Sequence, residues 1–473
     1  MIFVSAGLAV LAFILAFRAL GVVPAGRGAM GIVREAGKTV GNKSLSDEEK
    51  ERAVQAAAKR MFGATWSILW RITATLAAPM LLVWLISALG GPGVEEVTLF
   101  LLRIDVLIGL TVFGVALSFL SRLMPEKTSD YSALDKALHR VAFATPHVQL
   151  AAAGVEDTMF RARIEAVAEK PPVFIASLPR AGTTVVLNAM AEAPGVATHL
   201  YRDMPFVMAP MLWAQLSAGF SRDATLKERA HGDGLKIGYD SPEAFEEVIW
   251  RAFYRDKFKG DRLPVWTPKD MDDEAQEFFR AHFRKIVALR CNGEGHYVSK
   301  NNGNVARLTL LPKMFPGCKM VVPLRDPAEH AASLYRQHEN FLKQHAEDPF
   351  TRRYMRDIGH LEFGALHRPI DFEGFGDLTK GLTPAQPDYW LAYWIAANRH
   401  IATLKDTVHI VTHARLETDG AAEIEAICRE IGLDPAGADF ASHFKPVKRR
   451  ADTGQFDSAL LEQAKSIYAD LAD

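Results

Sequence analysis

Six residues, PRAGTT at 179–184, have the composition of a loop that holds an anion. The apolar run VFIAS at 173–177 comes before them, and a helical pattern follows. Gly182 lets the backbone approach a bound group, and two threonines add hydroxyls beside the free N–H groups of a first helical turn. The guanidinium of Arg180 can form two parallel hydrogen bonds with a phosphate. The hexamer therefore predicts an anion site between a strand and a helix.

The loop that binds nucleoside triphosphates, GxxxxGK[ST], differs from this one at its lysine. Alignment on Gly182 places Ser177 at the first glycine and Thr183 at the lysine. Because that lysine serves the β- and γ-phosphates, PRAGTT is suited to another anion. A strand-to-helix turn without any ligand is the alternative for such a hexamer.

A second strand–turn–helix pattern begins at Lys319 with KMVVPLRDPAEHAASLYRQ. Arg325 ends its strand, and Ser333 lies about two helical turns into its helix. Ligands of open α/β sheets bind at the carboxyl ends of the strands. We therefore expect a second phosphate pocket beside the first, although Asp326-Pro327 alone is also an ordinary helix start.

PRAGTT and LRDPAEHAAS, roughly 145 residues apart, together resemble the PAPS-dependent sulfotransferase family, whose donor is 3′-phosphoadenosine 5′-phosphosulfate. The resemblance covers approximately residues 170–450. It implies that the first loop faces the 5′ end of the donor, that the second faces its 3′-phosphate, and that 3′,5′-ADP is the product. The donor residues it assigns are Pro179, Arg180, Ala181, Gly182, Thr183, Thr184, Arg325 and Ser333. Ala181 departs from the usual PRSGTT or PKSGTT.

Three further residues take roles from the same resemblance. YVSKNN at 297–302 resembles the family's stretch that brings a lysine, here Lys300, near the sulfuryl group. The basic run FKPVKRRADTG supplies Lys448 and Arg449 as candidates for the 3′-phosphate. For that run, a solvated cluster of charges is the alternative.

In-line sulfuryl transfer depends on positioning and on charge neutralisation, which we assign to Arg180 and Lys300. No HExxH or CxxC pattern is present, and we expect no metal. The acceptor must lose a proton, so a base is needed. We rank Glu243 and Asp203 ahead of His231 as that base. The stretches that carry these residues, HLYRDMPF at 199–206 and HGDGLKIGYDSPEAFEE at 231–247, also offer His199, Asp233, Asp240, Glu246 and Glu247.

Short apolar runs alternate with helical patterns after residue 170. This alternation predicts an α/β fold, a P-loop-like parallel sheet flanked by helices. The strand candidates are 173–177, 296–299, 319–324 and 408–412, and the helix candidates are 183–193, 303–315, 327–345, 385–405 and 420–431.

A chain of 473 residues is too long for one ordinary core. We predict a membrane region at 1–123, a linker and helical lead-in at 124–169 and a sulfotransferase domain at 170–473. The membrane region holds three apolar segments, 1–20, 66–90 and 97–121, and a cytoplasmic loop at 21–65. The alternatives are a signal peptide for the first segment and a buried hairpin of a soluble domain for the other two.

Charge favours one orientation of these segments. Nine Lys and Arg residues lie between Arg18 and Arg60, whereas the connection GGPGVEEV has none. The positive-inside rule then predicts a multi-pass protein of the cytoplasmic (inner) membrane with its catalytic domain in the cytoplasm. The net charge of −1 predicts no nucleic-acid partner.

These features predict an enzyme that moves a sulfuryl group from PAPS to a hydroxyl or amine. The acceptor is a small molecule, a lipid or a glycan, and the DSPE stretch resembles bacterial members of the family. Two other functions are open: a P-loop-type nucleotide kinase, and a catalytically inactive membrane scaffold with this fold.

Overall fold

The computed structural model describes residues 47–88, 90–101, 133–217, 240–444 and 452–473. It also describes residue 238, the strand pairs 227–228 and 236–237, and scattered residues between 5 and 25. The chain divides into two compact units, Met1–Met124 and Pro125–Asp473.

The first unit contains a long apolar helix. Helix α1 (Asp47–Ala88) is followed by α2 (Val94–Leu101). Within the described residues, Gln55–Ala88 is the one stretch long and apolar enough to cross a membrane. Its side chains include Trp66 and Trp84, which are 66% and 62% exposed.

This part of the structure differs from the sequence-based expectation in one respect. We expected a cytoplasmic segment at 21–65 and a membrane helix that begins at 66, and the structure has one continuous helix, α1, from Asp47 to Ala88. Gly63 alone does not break the helix, and Pro79 is accommodated within it. The expected segments 1–20 and 97–121 lie largely outside the described residues. A multi-pass membrane protein is therefore not supported.

The second unit has the predicted fold class. Its parallel sheet of five described strands has the order β2-β5-β1-β6-β7. The strands are β1 (Val173–Ile175), β2 (Val196–Ala197), β5 (His296–Lys300), β6 (Lys319–Leu324) and β7 (His409–Thr412), and β3 (Lys227–Glu228) pairs separately with β4 (Lys236–Ile237).

Helices cover this sheet. They are α3 (Ala133–Ala142), α4 (Pro146–Met159), α5 (Arg161–Glu165), α6 (Thr183–Met190), α7 (Pro210–Ser217), α8 (Glu247–Phe253), α9 (Asp273–Arg290), α10 (Leu311–Met314), α11 (Pro327–Glu347), α12 (Pro349–Ile358), α13 (Phe375–Leu378), α14 (Pro387–Ala402), α15 (His413–Glu430) and α16 (Ser458–Ala472).

Alternation along β1 explains the two layers of the core. Phe174 lies in a large apolar cluster with residues of α9, α11 and α14. Val173 and Ile175 lie in a smaller cluster with residues of α6 and α15. All three are fully buried, so β1 needs apolar residues at every position, as a central parallel strand does.

Two predicted helices differ in the structure. The 303–315 segment folds as a 3₁₀ turn at Asn302–Ala306 and the short helix α10, because Arg307 between them is buried in an ion pair with Glu247. Helix α15 begins at His413, directly after β7, and its backbone is non-helical at Asp419. The helical pattern predicted at 420–431 covers only the part of α15 that follows Asp419.

A buried carboxyl group joins α4 to α9. Glu156 is fully buried, its Oε1 lies 3.4 Å from the Nζ of Lys285, and its Oε2 accepts a hydrogen bond from the Leu212 N–H at 2.6 Å. Burial raises the pKa of Glu156 to about 7, although the Lys285 charge opposes this shift. The folded protein therefore holds a proton here that the unfolded chain releases at lower pH.

We expect Glu156 to make stability fall as the pH rises. Its contribution is greatest below the unfolded pKa of 4.5 and is lost as pH rises through about 7. This difference between the two pKa values corresponds to at most about 3 kcal/mol of the free energy of unfolding. When the free energy of unfolding is measured by chemical denaturation between pH 4.5 and 8, the Glu156→Gln variant should lack this part of the pH dependence. The control is Glu165→Gln at an exposed position. Equal pH dependence in the two variants would contradict the assignment.

Candidate active site

The PRAGTT loop joins β1 to α6 through two residues in the left-handed region. Arg180 has φ 73° and Gly182 has φ 101°. Glycine is required at 182 by its backbone conformation, since a Cβ would make only an ordinary contact of 3.5 Å with His413. The first hydrogen bond of α6 runs from Val186 N to Gly182 O. The earlier N–H groups of the helix are those that an anion takes as donors.

The second motif lies against this loop. Arg325 directly follows β6, and its Nη1 donates to the carbonyl oxygen of Arg180 at 3.3 Å. The Nε of Arg180 donates to the Oγ of Ser333 on α11 at 3.4 Å. The structure therefore brings Arg180, Arg325 and Ser333 together, although they are far apart in sequence.

His330 fixes the distance between α11 and the loop. Its Nε2 donates to the carbonyl oxygen of Pro179 at 2.8 Å, and its side chain is buried. Burial lowers the pKa of His330 to about 3, and the Arg325 charge acts in the same direction. A neutral imidazole in this position adds no charge to a site that already holds two arginines.

Lys300 approaches from the other neighbour of β1. It ends β5 and pairs in register with Ile175, the last residue of β1. Its Nζ lies 3.4 Å from the Oε1 of Glu243, and both side chains are 6% exposed. Glu243 also accepts hydrogen bonds from Ala244 N at 2.7 Å and from the Tyr201 hydroxyl at 2.5 Å. The carboxylate thus holds a buried cation at the carboxyl edge of the sheet.

Asp203 has quite different surroundings. It is 1% exposed, its Oδ2 faces the Nδ1 of His199 at 3.1 Å, and its Oδ1 pairs with Arg290. Burial raises the pKa of Asp203, but the His199 hydrogen bond and the Arg290 charge outweigh burial and leave it below its ordinary value. His199 in turn contacts His282 at 2.9 Å. These groups form a closed polar cluster.

The other candidate residues either form hydrogen bonds or ion pairs with other side chains or lie outside the described residues. Glu247 forms two hydrogen bonds with Arg307, at 2.7 and 2.8 Å. Glu246 accepts one from Trp250 at 2.9 Å. Asp240 pairs with Arg202 and is exposed. His231, Asp233, Lys448 and Arg449 lie outside the described residues.

Sequence reasoning did not single out three residues near the loop, Asn302, Glu362 and His413. Asn302 links the Oγ1 of Thr183, 3.4 Å away, to Glu362, whose Oε1 accepts a hydrogen bond from its Nδ2 at 3.0 Å. His413, the first residue of α15, lies next to Gly182. Position alone could have indicated His413, because it follows a strand at the edge that carries Arg325. No sequence signal pointed to Glu362.

A comparison with known protein families gives a match over part of the chain. Residues 171–371 match the family model described as "Sulfotransferase family", a span that includes both loops, Lys300 and Glu243. The segment 171–371 belongs to the sulfotransferase family. Membership supports sulfuryl transfer as its general activity and implies a sulfonate donor and a small-molecule acceptor.

Several solved sulfotransferases resemble the chain at low sequence identity. STF1 of Mycobacterium tuberculosis H37Rv is 14% identical with a TM-score of 0.39, covering 76% of this chain and 91% of its own. An Alicyclobacillus acidocaldarius sulfotransferase is 12% identical with a TM-score of 0.31, covering 64% and 94%. STF9 of Mycobacterium avium is 12% identical with a TM-score of 0.29, covering 76% and 89%. No curated protein matches the chain.

Proposed function

We propose that the protein transfers a sulfuryl group from 3′-phosphoadenosine 5′-phosphosulfate to a hydroxyl or amine of an acceptor, releasing 3′,5′-ADP. The observation that carries the proposal is the contact between the two anion-binding motifs. Arg325 and Ser333 both touch Arg180, so one ligand with an anionic group at each end can reach both motifs. A nucleoside triphosphate carries its charge at one end only.

In this proposal the PRAGTT loop binds the 5′-phosphosulfate through backbone N–H groups of α6, with Pro179 and Ala181 shaping its backbone and Thr183 and Thr184 adding hydroxyls. Arg325 and Ser333 bind the 3′-phosphate, and Lys448 and Arg449 are further candidates for it. Lys300 and Arg180 offset the charge on the bridging oxygen as the bond to sulfur breaks.

We propose Glu243, rather than Asp203, for the acceptor proton. Glu243 lies beside Lys300, while Asp203 pairs with Arg290 in a closed cluster. Tyr201 is half-buried, and its hydroxyl donates to Glu243, which provides a path from the acceptor side to the carboxylate. Asp203 then has a structural role.

We propose that α1 holds the enzyme at a membrane and that the acceptor is a lipid or a glycan at the membrane surface. The support is the apolar stretch Gln55–Ala88 with exposed Trp66 and Trp84. These residues are 18 apart, about 27 Å along a helix, which is near the ~30 Å of a hydrocarbon core. Tryptophans are enriched at both membrane interfaces.

Nucleotide binding tests the donor assignment. In calorimetry on the full chain, we expect 3′,5′-ADP to bind far more tightly than ATP. Arg325→Gln removes a charged hydrogen bond and should lower the affinity for 3′,5′-ADP at least tenfold. Ser333→Ala should lower this affinity severalfold. Arg161→Gln, an exposed arginine on α5, is the control. Tight ATP binding without 3′,5′-ADP binding would instead support the nucleotide kinase.

Turnover tests Lys300. Release of 3′,5′-ADP from PAPS by transfer to water can be followed without knowing the acceptor. Lys300→Ala should lower this rate by about 10²–10³-fold, the range for loss of one group that stabilises transition-state charge. Its affinity for 3′,5′-ADP should change much less. The matched control is Lys313→Ala, an exposed lysine on α10. A wild-type rate in Lys300→Ala would refute the role, and no release by the wild type would favour the inactive scaffold.

The two carboxylates should differ in the same assay. Glu243→Gln should slow the turnover of the folded protein, and because Lys300 is left without its partner's charge it should also lower the midpoint of thermal unfolding. Asp203→Asn should mainly lower that midpoint, because Arg290 is left without its partner's charge. Slower turnover in a stably folded Asp203→Asn variant would reverse the assignment.

Membrane preparations test the location and the acceptor class together. The chain should sediment with membranes at alkaline pH and be released by detergent. After incubation with ³⁵S-labelled PAPS, label should appear in an organic extract if the acceptor is a lipid. Label confined to the aqueous phase would exclude a lipid acceptor, and a chain that is released by alkali alone would exclude an integral α1.

A further inference from the structure

A cavity lies at the opposite edge of the sheet from the candidate active site. Its volume is about 240 Å³, and it opens where the chain enters β1 and β5, at Pro172 and Gly295. The PRAGTT loop and Lys300 follow the other ends of these two strands. The cavity is therefore separate from the site proposed for the donor.

The floor of this cavity is apolar and aromatic. The rings of Phe283 and Tyr297 stack with centroids 4.1 Å apart, and Phe315 lies 5.2 Å from Phe283. Val167 and Val287 complete the floor, and both are buried. A surface of this kind suits the apolar body of a ligand.

The rim of the cavity is basic. Lys170, Arg280 and Arg284 line it, and among the described lining residues Glu169 is the one that is acidic. Glu169 lies 3.2 Å from Arg280, so its charge is already matched. The Nε of Arg284 is buried and has no hydrogen-bond partner among the described residues. Arg284 lines the cavity, so its terminal guanidinium nitrogens are placed to donate to an anion bound there.

We propose that this cavity binds a small organic anion: an apolar body on the aromatic floor and a carboxylate or sulfate ester against Arg284 and Lys170. A guanidinium forms two parallel hydrogen bonds with either head group. The volume is below the ~300–1,000 Å³ of pockets for drug-sized ligands, so the occupant is small. The proposal is independent of the sulfuryl donor.

Binding of 4-ethylbenzoate to the full chain tests this proposal, measured by calorimetry in the presence of saturating 3′,5′-ADP. We expect one site for 4-ethylbenzoate. The uncharged 4-ethylbenzamide and inorganic sulfate, which lacks an apolar body, should each bind at least tenfold more weakly. Arg284→Gln should weaken 4-ethylbenzoate at least tenfold. Lys170→Gln, at an exposed position that does not endanger folding, should weaken it severalfold.

Arg352→Gln, an exposed arginine on α12, should bind 4-ethylbenzoate as the wild type does. Three results would overturn the proposal: no binding, equal affinity in the wild type and both rim variants, or 4-ethylbenzamide binding as tightly as 4-ethylbenzoate. Competition with 3′,5′-ADP would also overturn it, since the ligand would then occupy the active site. Failure here leaves the proposed donor site unaffected.

Discussion

Two carbonyl groups of the PRAGTT loop accept hydrogen bonds from residues just after β6 and in the first turn of α11. The arrangement of the site depends on these two hydrogen bonds. His330 donates to Pro179, and Arg325 donates to Arg180. A neutral bond such as that of His330 contributes about 0.5–1.5 kcal/mol to stability, and one with a charged donor such as Arg325 about 1.5–3 kcal/mol. Their larger effect is geometric, because they fix α11 beside the first turn of α6. Parallel pairing of β1 with β6 makes this possible, since both strands end at the same edge.

The same edge concentrates positive charge. Arg180, Arg325 and Lys300 lie at or after the ends of three adjacent strands; Glu243 lies 3.4 Å from Lys300, and Glu329 lies 3.5 Å from Arg325. A polyanion that enters such a site meets donors that are already oriented, so little reorganisation is needed on binding. His330, kept neutral by burial, holds the loop without adding to the repulsion between the arginines. This balance explains a buried histidine at a position where another cation would be destabilising.

Sequence reasoning was most successful where local chemistry decides the outcome. Strands such as 319–324 are marked by apolar runs, and the helices that begin at Thr183 and Pro327 are marked by residues that suit a helix start. It was least successful where partners come from distant segments. Arg307 interrupts the expected helix at 303–315 because it is buried between Glu247 and two tryptophan rings, Trp250 and Trp266. The Glu362–Asn302 contact and the pairing of Asp203 with Arg290 likewise join residues whose proximity no sequence spacing shows.

A structure of the full chain with 3′,5′-ADP tests the central claim most directly. The account predicts the 3′-phosphate within hydrogen-bond distance of Arg325 and Ser333, and the 5′-phosphate against the first-turn N–H groups of α6, beside Lys300. A nucleotide that reaches only one of these motifs, or that binds away from both, would contradict it.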